Sequence, residues 1–225
     1  LKINYSFDLP KVINKDLAAK EKLCVMVAGY NLSSHPLELY SSRIEAIRWF
    51  EKNHPAEFSL YGFGWNNCYV KTGSRLLNKL IRELCRFDYF KQKYKTAFPS
   101  YRGEVKRKYM VMPRYKFSIC FENTRDIPGY LTEKIFDSFF AGCVPVYWGA
   151  NNIAEHIPKD CFIDFRDYKN MGDLYAYISN LSDQAYLAYL KRIEAFLNSP
   201  KAYPFSIDYF VRTIIGEIIQ SNVHA

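Results

Sequence analysis

No apolar run in these 225 residues approaches the roughly 20 positions that a membrane-spanning helix needs, and no signal peptide opens the chain. A membrane anchor, where the protein has one, is therefore expected outside this piece, and Leu1 in place of an initiating Met reads as the start of a fragment or processed chain. Internal repeats and low-complexity tracts are missing, which argues against solenoid and disordered architectures. The six cysteines, Cys24, Cys68, Cys85, Cys120, Cys143 and Cys161, form no C-x-x-C pair, which argues against a zinc site or a redox pair. Cys24, Cys120 and Cys143 sit inside apolar runs, as buried thiols do, and such usage fits a reducing compartment.

What is present is a foldable, basic chain. Hydrophobic residues make up 49%, enough for a substantial core, and the 19 Tyr and 17 Phe are expected mostly in that core and on half-exposed strands. Lys and Arg number 31 against 23 Asp and Glu, a net charge of +8, which suits a polyanionic partner: nucleic acid, a lipid surface or a phosphorylated small molecule. The basic residues are spread along the chain, densest near Lys91 to Lys95 and Lys106 to Lys108. Neither a zinc-finger spacing nor an RNA-recognition signature accompanies them, so no nucleic acid is expected and most of these charges read as solvated surface.

Strands and helices alternate. Residues 1–21 are polar and irregular and read as a linker or the tail of a preceding domain; residues 22–225 read as one domain. Leu23 to Ala28 is a continuous apolar run ending at Gly29, the pattern of a buried parallel strand. A polar loop, Tyr30 to Pro36, precedes apolar positions Leu39, Ile44, Ile47, Trp49 and Phe50 at helical spacing, and Phe58 to Tyr61 is a short strand stopping at Gly62. Ser74 to Tyr94 carries Leu76, Leu77, Leu80, Ile81, Leu84 and Phe87 at helical spacing on a basic background; ordinary core packing is expected of it, with contact to a membrane surface as the alternative. Further strands are predicted at Tyr115–Phe121 and Val144–Trp148, with Pro145 awkward for a central position. Helices are predicted from about Thr132 to Ala141, closed by Gly142, and two or three more between Gly172 and Gln220. The fold class is α/β, a Rossmann-like parallel sheet with helices on both faces.

Chemistry concentrates between Tyr115 and Gly149. A buried strand delivers Glu122, Asn123, Thr124 and Arg125 at its carboxyl end, where open α/β sheets bind ligands. Thr132 suits an N-cap and puts Glu133 and Lys134 in the first helical turn. A helix N-terminus offers free N–H groups and partial positive charge to an anion, and Lys134 adds a full charge beside it. Glu133 is misplaced for a phosphate but could accept hydrogen bonds from two ribose hydroxyls. On local sequence alone, a capped helix start with a solvated lysine explains the same residues equally well.

Phe121-Glu-Asn-Thr124, Tyr130-Leu-Thr-Glu-Lys134, Gly142, Val144-Pro-Val146 and Gly149 follow one another as in the α1,3/α1,4-fucosyltransferases, glycosyltransferase family 10, which this segment resembles. Pro158 to Ile163 with Asp167-Tyr168 continues the likeness downstream. Ser41 to Ile47 with Ser59 to Gly62 resembles the family's arginine-bearing helix and strand–glycine turn upstream. The likeness spans roughly residues 20–200; the loop Tyr30 to Leu39 is longer than the pattern, and Asn66 to Tyr109, from which contacts to guanine are partly expected, does not align.

The resemblance implies the carboxyl-terminal, donor-binding half of a GT-B glycosyltransferase, with Arg43 and Lys134 on the pyrophosphate of GDP-fucose, Glu133 on the ribose, and Asn123 and Tyr130 along the phosphate and fucose edge. Arg48, one turn on from Arg43, reads as a surface residue. The implied reaction is inverting transfer of L-fucose to a hydroxyl of an acceptor oligosaccharide or glycan, with Arg43 and Lys134 stabilising the departing GDP. No Asp-x-Asp pair is present, Asp164-Phe-Arg-Asp167 having the wrong spacing, so no metal or other cofactor is expected. The general base is expected on an amino-terminal domain, since Glu122 reads as structural. Competing readings are a GT-B transferase for another nucleotide sugar and a non-enzymatic glycan- or nucleic-acid-binding module. A bacterial, cytoplasmic enzyme is expected over a Golgi one, with peripheral membrane contact as a further possibility; the oligomeric state, acceptor and linkage are not legible.

Overall fold

The computed structural model describes residues 4–66, 75–84 and 98–223. Their strands are β1 (Lys22–Val27), β2 (Phe58–Tyr61), β3 (Tyr115–Phe121), β4 (Val144–Trp148) and β5 (Ile163–Asp164). All pair in parallel, in the order β2-β1-β3-β4-β5. The helices described are α1 (Tyr40–Asn53), α2 (Arg75–Leu84), α3 (Glu133–Phe140), α4 (Ile153–His156), α5 (Met171–Ser179), α6 (Asp183–Leu197) and α7 (Ile207–Val223). The fold is the Rossmann-like α/β arrangement. The chain runs from β1 outward to β2, then returns to lay β3 on the other side of β1, so the sheet's direction of growth reverses between β1 and β3. Crevices that bind ligands open at the carboxyl ends of the strands at such a reversal.

Continuous apolar strands are needed because both faces are covered. Along β1, Cys24 and Met26 enter the main core with Phe50, Phe58, Phe117 and Phe136, while Val25 faces a smaller cluster with Tyr61, Met112, Tyr115 and Cys143. Pro145 is accommodated because β5 pairs with β4 only at Val146 and Tyr147, so no partner on that side stands opposite the proline. Gly142 ends α3 in the left-handed region (φ 63°): its N–H donates to the Phe139 carbonyl (3.0 Å) and that of Cys143 to the Ser138 carbonyl (2.9 Å), the Schellman pattern. Cys24, Cys120, Cys143 and Cys161 are buried free thiols, and burial pushes Cys120 up to about 11 and Cys143 to about 12. Cys68 and Cys85 lie outside the described residues.

Two sequence expectations change. Residues 4–21, read as a linker or tail, pack on the domain. Phe7 donates its N–H to the Phe205 carbonyl (2.8 Å), accepts from Ile207 (3.0 Å) and stacks on Phe136 at 4.6 Å. Ile13 is buried and donates to Glu194 Oε1 (3.0 Å), and Lys20 Nζ reaches the carbonyls of Pro113 (2.9 Å) and Gly142 (2.7 Å). These contacts bridge up to two hundred positions, so local pattern could not reveal them. The second change concerns α2, expected to pack into the core: Leu76 is 82% exposed, and Leu77 and Leu80 are exposed too. The rest of the helix predicted over Ser74–Tyr94 lies outside the described residues. Among the described residues no helix is long and apolar enough to cross a membrane.

Two glycines offer a controlled comparison. Gly62 (φ 129°) ends β2 against β1, and a Cβ there would meet the Ala28 carbonyl oxygen at 2.0 Å; Gly103 (φ 110°) has nothing within 4 Å of such a Cβ. Gly103→Ala meets only backbone strain, about 1 kcal/mol, whereas Gly62→Ala adds a collision with main chain and is expected to cost about 2–4 kcal/mol. Urea unfolding of the two variants measures the difference.

Candidate functional site

At the carboxyl ends of β1 and β3 lies an open cleft of about 540 Å³. Val27, Ala28 and Gly29 come to it from β1, Arg43 from α1, Asn123 from β3, and Tyr130, Glu133 and Lys134 from the β3–α3 loop and the start of α3. The five residues singled out in the sequence for a ligand, Arg43, Asn123, Tyr130, Glu133 and Lys134, are thus brought together. Arg48 is not among the lining residues; it pairs with Glu51 (2.7 Å) and lies 4.0 Å from the Phe98 ring centroid.

Arg43 occupies the buried stripe of α1 with Ala46, Ile47 and Phe50 and is only 3% exposed. The Tyr30–Leu39 loop puts it there by pairing with the segment after β3: Leu39 donates to the Asn123 carbonyl (3.0 Å) and Arg125 to that of Leu37 (2.9 Å). The guanidinium is then consumed on one side. Nε (3.1 Å) and Nη2 (2.7 Å) donate to the Phe121 carbonyl, and Nη2 also to Asn123 Oδ1 (2.9 Å). Burial lowers its pKa from the usual arginine value, with Tyr40, Glu122 and Glu133 acting in the opposite sense. Nη1 bonds to no atom among the described residues, and no buried side-chain nitrogen or oxygen there lacks a partner, so Nη1 meets solvent. The Tyr130 hydroxyl borders the same cleft, and its pKa is raised by burial and by the Glu122 charge.

Glu122 organises the other wall. It is fully buried; Oε1 accepts from Thr132 N (2.9 Å), and Oε2 accepts from Thr132 Oγ1 (2.7 Å) and Lys134 Nζ (3.0 Å). Thr132 therefore stands at the N-cap position with extended backbone but does not cap the helix, its hydroxyl being turned to Glu122 instead. The start of α3 keeps its positive end towards the cleft. Lys134 Nζ bonds Glu122 and Thr132 Oγ1 (3.0 Å), which engages two of its three hydrogens and leaves the third. Gly149 makes room for this: a Cβ there would lie 2.5 Å from Glu122 Cγ and 2.5 Å from the Tyr147 hydroxyl.

Glu133 lies 3.9 Å from Lys134 and 3.1 Å from Lys108 Nζ, and Lys108 also pairs with Asp137 at 2.6 Å. Burial works against the ionised form of Glu133, but Lys134 and Lys108 outweigh it and hold the carboxyl below its usual range. Lys108 is a cleft residue that the sequence did not single out, as are Tyr5, Tyr40 and Lys106. Lys106 and Lys108 belong to the stretch that could not be aligned, and Tyr5 to the supposed linker. The arrangement offers hydrogen-bond donors at one end of the cleft and a fixed carboxylate acceptor beside them.

An open parallel sheet with a cleft at its reversal point is the arrangement in which α/β domains place their ligands. The model of glycosyltransferase family 10 (fucosyltransferase), C-terminal part, matches residues 63–201, and the chain belongs to that family. It is 40% identical over 77 residues to the α-(1,3)-fucosyltransferase FucT of Helicobacter pylori, a match taking in 34% of this chain and 16% of that protein. It is 39% identical over 72 residues to the α-(1,4)-fucosyltransferase of Arabidopsis thaliana, taking in 32% and 18%. The matches thus span less than a fifth of either relative's length. A crystal structure of an α1,3-fucosyltransferase with GDP-fucose shares the fold over 83% of this chain and 50% of that one, at 23% identity and a TM-score of 0.50.

The Glu122–Lys134 pair makes a stability prediction. Removing either charge alone strands the other in a low-dielectric site, at a cost of about 3–5 kcal/mol, whereas neutralising both strands neither. Glu122→Gln and Lys134→Gln are each expected to lower stability, and the double variant to recover at least half of the summed loss in a denaturant-unfolding cycle.

Proposed function

We propose that the cleft binds GDP-fucose and that this chain is the donor-binding part of an inverting fucosyltransferase acting on a glycan hydroxyl. The observation that carries the reading is that the donors left over by the protein's own bonding, at Arg43 Nη1, Lys134 Nζ and the start of α3, border one cleft beside the Glu133 carboxylate. In this reading the cationic groups grip the pyrophosphate and Glu133 accepts from the ribose hydroxyls. Tyr130 and Asn123 flank the sugar-phosphate edge, and Val105 and Lys106 supply part of the wall on the guanosine side. Family membership and the relatives' printed activities support the choice of fucose over other sugars.

The chemistry follows from that geometry. The acceptor oxygen bonds to the anomeric carbon as the bond from that carbon to the β-phosphate oxygen breaks, and the departing GDP takes the electron pair. Arg43 and Lys134 stabilise the charge that grows there, in the absence of a metal, and the acceptor's proton passes to a base outside this chain. Glu122 is unfit for that task because it is buried with both oxygens engaged.

Calorimetry is expected to show GDP and GDP-fucose binding that persists in chelator, with GDP-mannose and UDP-sugars bound more weakly; loss of all binding in chelator contradicts the metal-free reading. Glu133→Ala is expected to weaken GDP about tenfold while sparing free pyrophosphate, because a hydrogen bond to a charged acceptor is worth about 1.5 kcal/mol or more.

Losing one preorganised charge contact to the leaving group costs on the order of 3 kcal/mol, about a hundredfold in rate. In steady-state assays of the full-length protein, Lys134→Gln and Arg43→Lys are expected to lower kcat by about that factor or somewhat less, with smaller changes in donor affinity. Glu122→Gln added to Lys134→Gln restores stability without restoring kcat. Arg48→Ala leaves kcat unchanged; an equal loss there removes the case for Arg43.

A further inference from the structure

Lys108 opens a short 3-10 turn, Lys108–Met110, just ahead of β3, and crosses to α3, with its side chain 29% exposed. There its ammonium sits between two carboxylates one helical turn apart, Glu133 Oε1 at 3.1 Å and Asp137 Oδ2 at 2.6 Å. Two acids at i and i+4 on a helix repel each other, and an interposed cation reverses that interaction. The same ammonium is a poor anchor for a ligand phosphate. Two of its three hydrogens are engaged, and the two carboxylates it faces together outweigh its charge. Lys134 differs in degree: its hydrogen bonds go to one carboxylate, Glu122, and to the neutral Thr132, with Glu133 farther off at 3.9 Å, and it lies at the helix start.

We propose that Lys108 is a positioning residue for the ribose-binding carboxylate: braced by Asp137 from below, it fixes Glu133 in the orientation that accepts the two ribose hydroxyls. The inference rests on the donor-site reading above and adds a determinant of nucleotide recognition to it. Asp137 belongs to the same device, since without it the ammonium is free to leave Glu133. Glu133 faces Lys108, Lys134, Arg43 and Asp137, and the first two hold its carboxyl below the usual range. A depressed carboxyl contributes ribose binding above its pKa and loses it as pH falls through that value. Removing Lys108 therefore moves the loss to higher pH.

Calorimetric titration of the chain with GDP, 2′,3′-dideoxy-GDP and pyrophosphate tests this. The wild-type chain is expected to prefer GDP to the dideoxy nucleotide by about tenfold, as hydrogen bonds to a carboxylate allow. In Lys108→Met that preference collapses to about one, pyrophosphate affinity is retained, and the residual GDP affinity falls off at higher pH than in the wild type. Lys108→Arg keeps most of the preference, and Asp137→Asn, the milder variant should Lys108→Met fail to fold, loses part of it. In a Glu133→Ala background Lys108→Met has no further effect.

A preference for GDP that survives in both Lys108→Met and Asp137→Asn overturns the inference. So does an equal loss of pyrophosphate binding, which would make Lys108 a phosphate ligand. Failure of the wild-type chain to bind GDP at all overturns the donor-site reading and takes this inference with it.

Discussion

A single buried carboxylate sets the geometry of the cleft. Glu122 leaves the end of β3 and fixes the backbone and hydroxyl of Thr132 and the ammonium of Lys134 together. Its place is secured by β4, whose Trp148 carbonyl accepts the Glu122 N–H (2.8 Å) and whose following Gly149 has no side chain to collide with it. A buried ion pair is weak evidence for stability, because desolvation consumes much of the Coulomb energy. Its effect here is directional. A lysine on four rotatable carbons would otherwise sample solvent, and two short bonds hold it at the helix terminus.

Arg43 is treated in the same way from the opposite wall. Its bonds to the Phe121 carbonyl and Asn123 tie α1 to the end of β3, the neighbouring strands being those between which the sheet reverses. Arg43, Lys108 and Lys134 are set against Glu122, Glu133 and Asp137, so the cleft is far from a simple basic patch, and the chain's overall +8 says little about it. Of the four cations that line the cleft among the described residues, Arg43, Lys108 and Lys134 are largely engaged by the protein's own groups, and what they leave over is a small number of aimed donors. Arg43→Lys is unsuited to this because an ammonium cannot hold a carbonyl on one side and an anion on the other as a planar fork does.

The legible parts of the sequence were those governed by short-range physics. β2, β3 and β4 fall on the predicted residues because a strand buried on both faces is a largely apolar run bounded by glycine or polar loops, broken here only by Ser59, Lys116 and Ser118. Arg43 could have been separated from Arg48 by periodicity alone: it shares a stripe with Ala46, Ile47 and Phe50, and a cation in an apolar stripe must have a partner. Lys108 carried no such sign. It stands in a basic run that looks like solvated surface, and its partners Glu133 and Asp137 lie 25 and 29 positions away. The amino-terminal strap was misread for the same reason: Phe7 and Ile13 have partners at the far end of the chain, and nothing in a polar, irregular stretch indicates them. The α2 leucines misled in the other direction, since helical spacing records that an apolar face exists and leaves open what covers it.

Pre-pairing bears on how such a site can favour a transition state over a bound substrate. A cation already bonded to a protein carboxylate attracts a ground-state diphosphate less than a free one does, so tight binding of substrate is restrained. On the donor-site proposal, as charge accumulates on the leaving oxygen the remaining hydrogen of Lys134 and the outer nitrogen of Arg43 would strengthen their interaction without moving, because their positions are held by Glu122, Thr132, Phe121 and Asn123. In water the same stabilisation would require solvent dipoles to reorient during the reaction. Here the donors are already positioned when the chain folds, so on that proposal the groups behind Arg43 and Lys134 are needed to keep the two charges aimed.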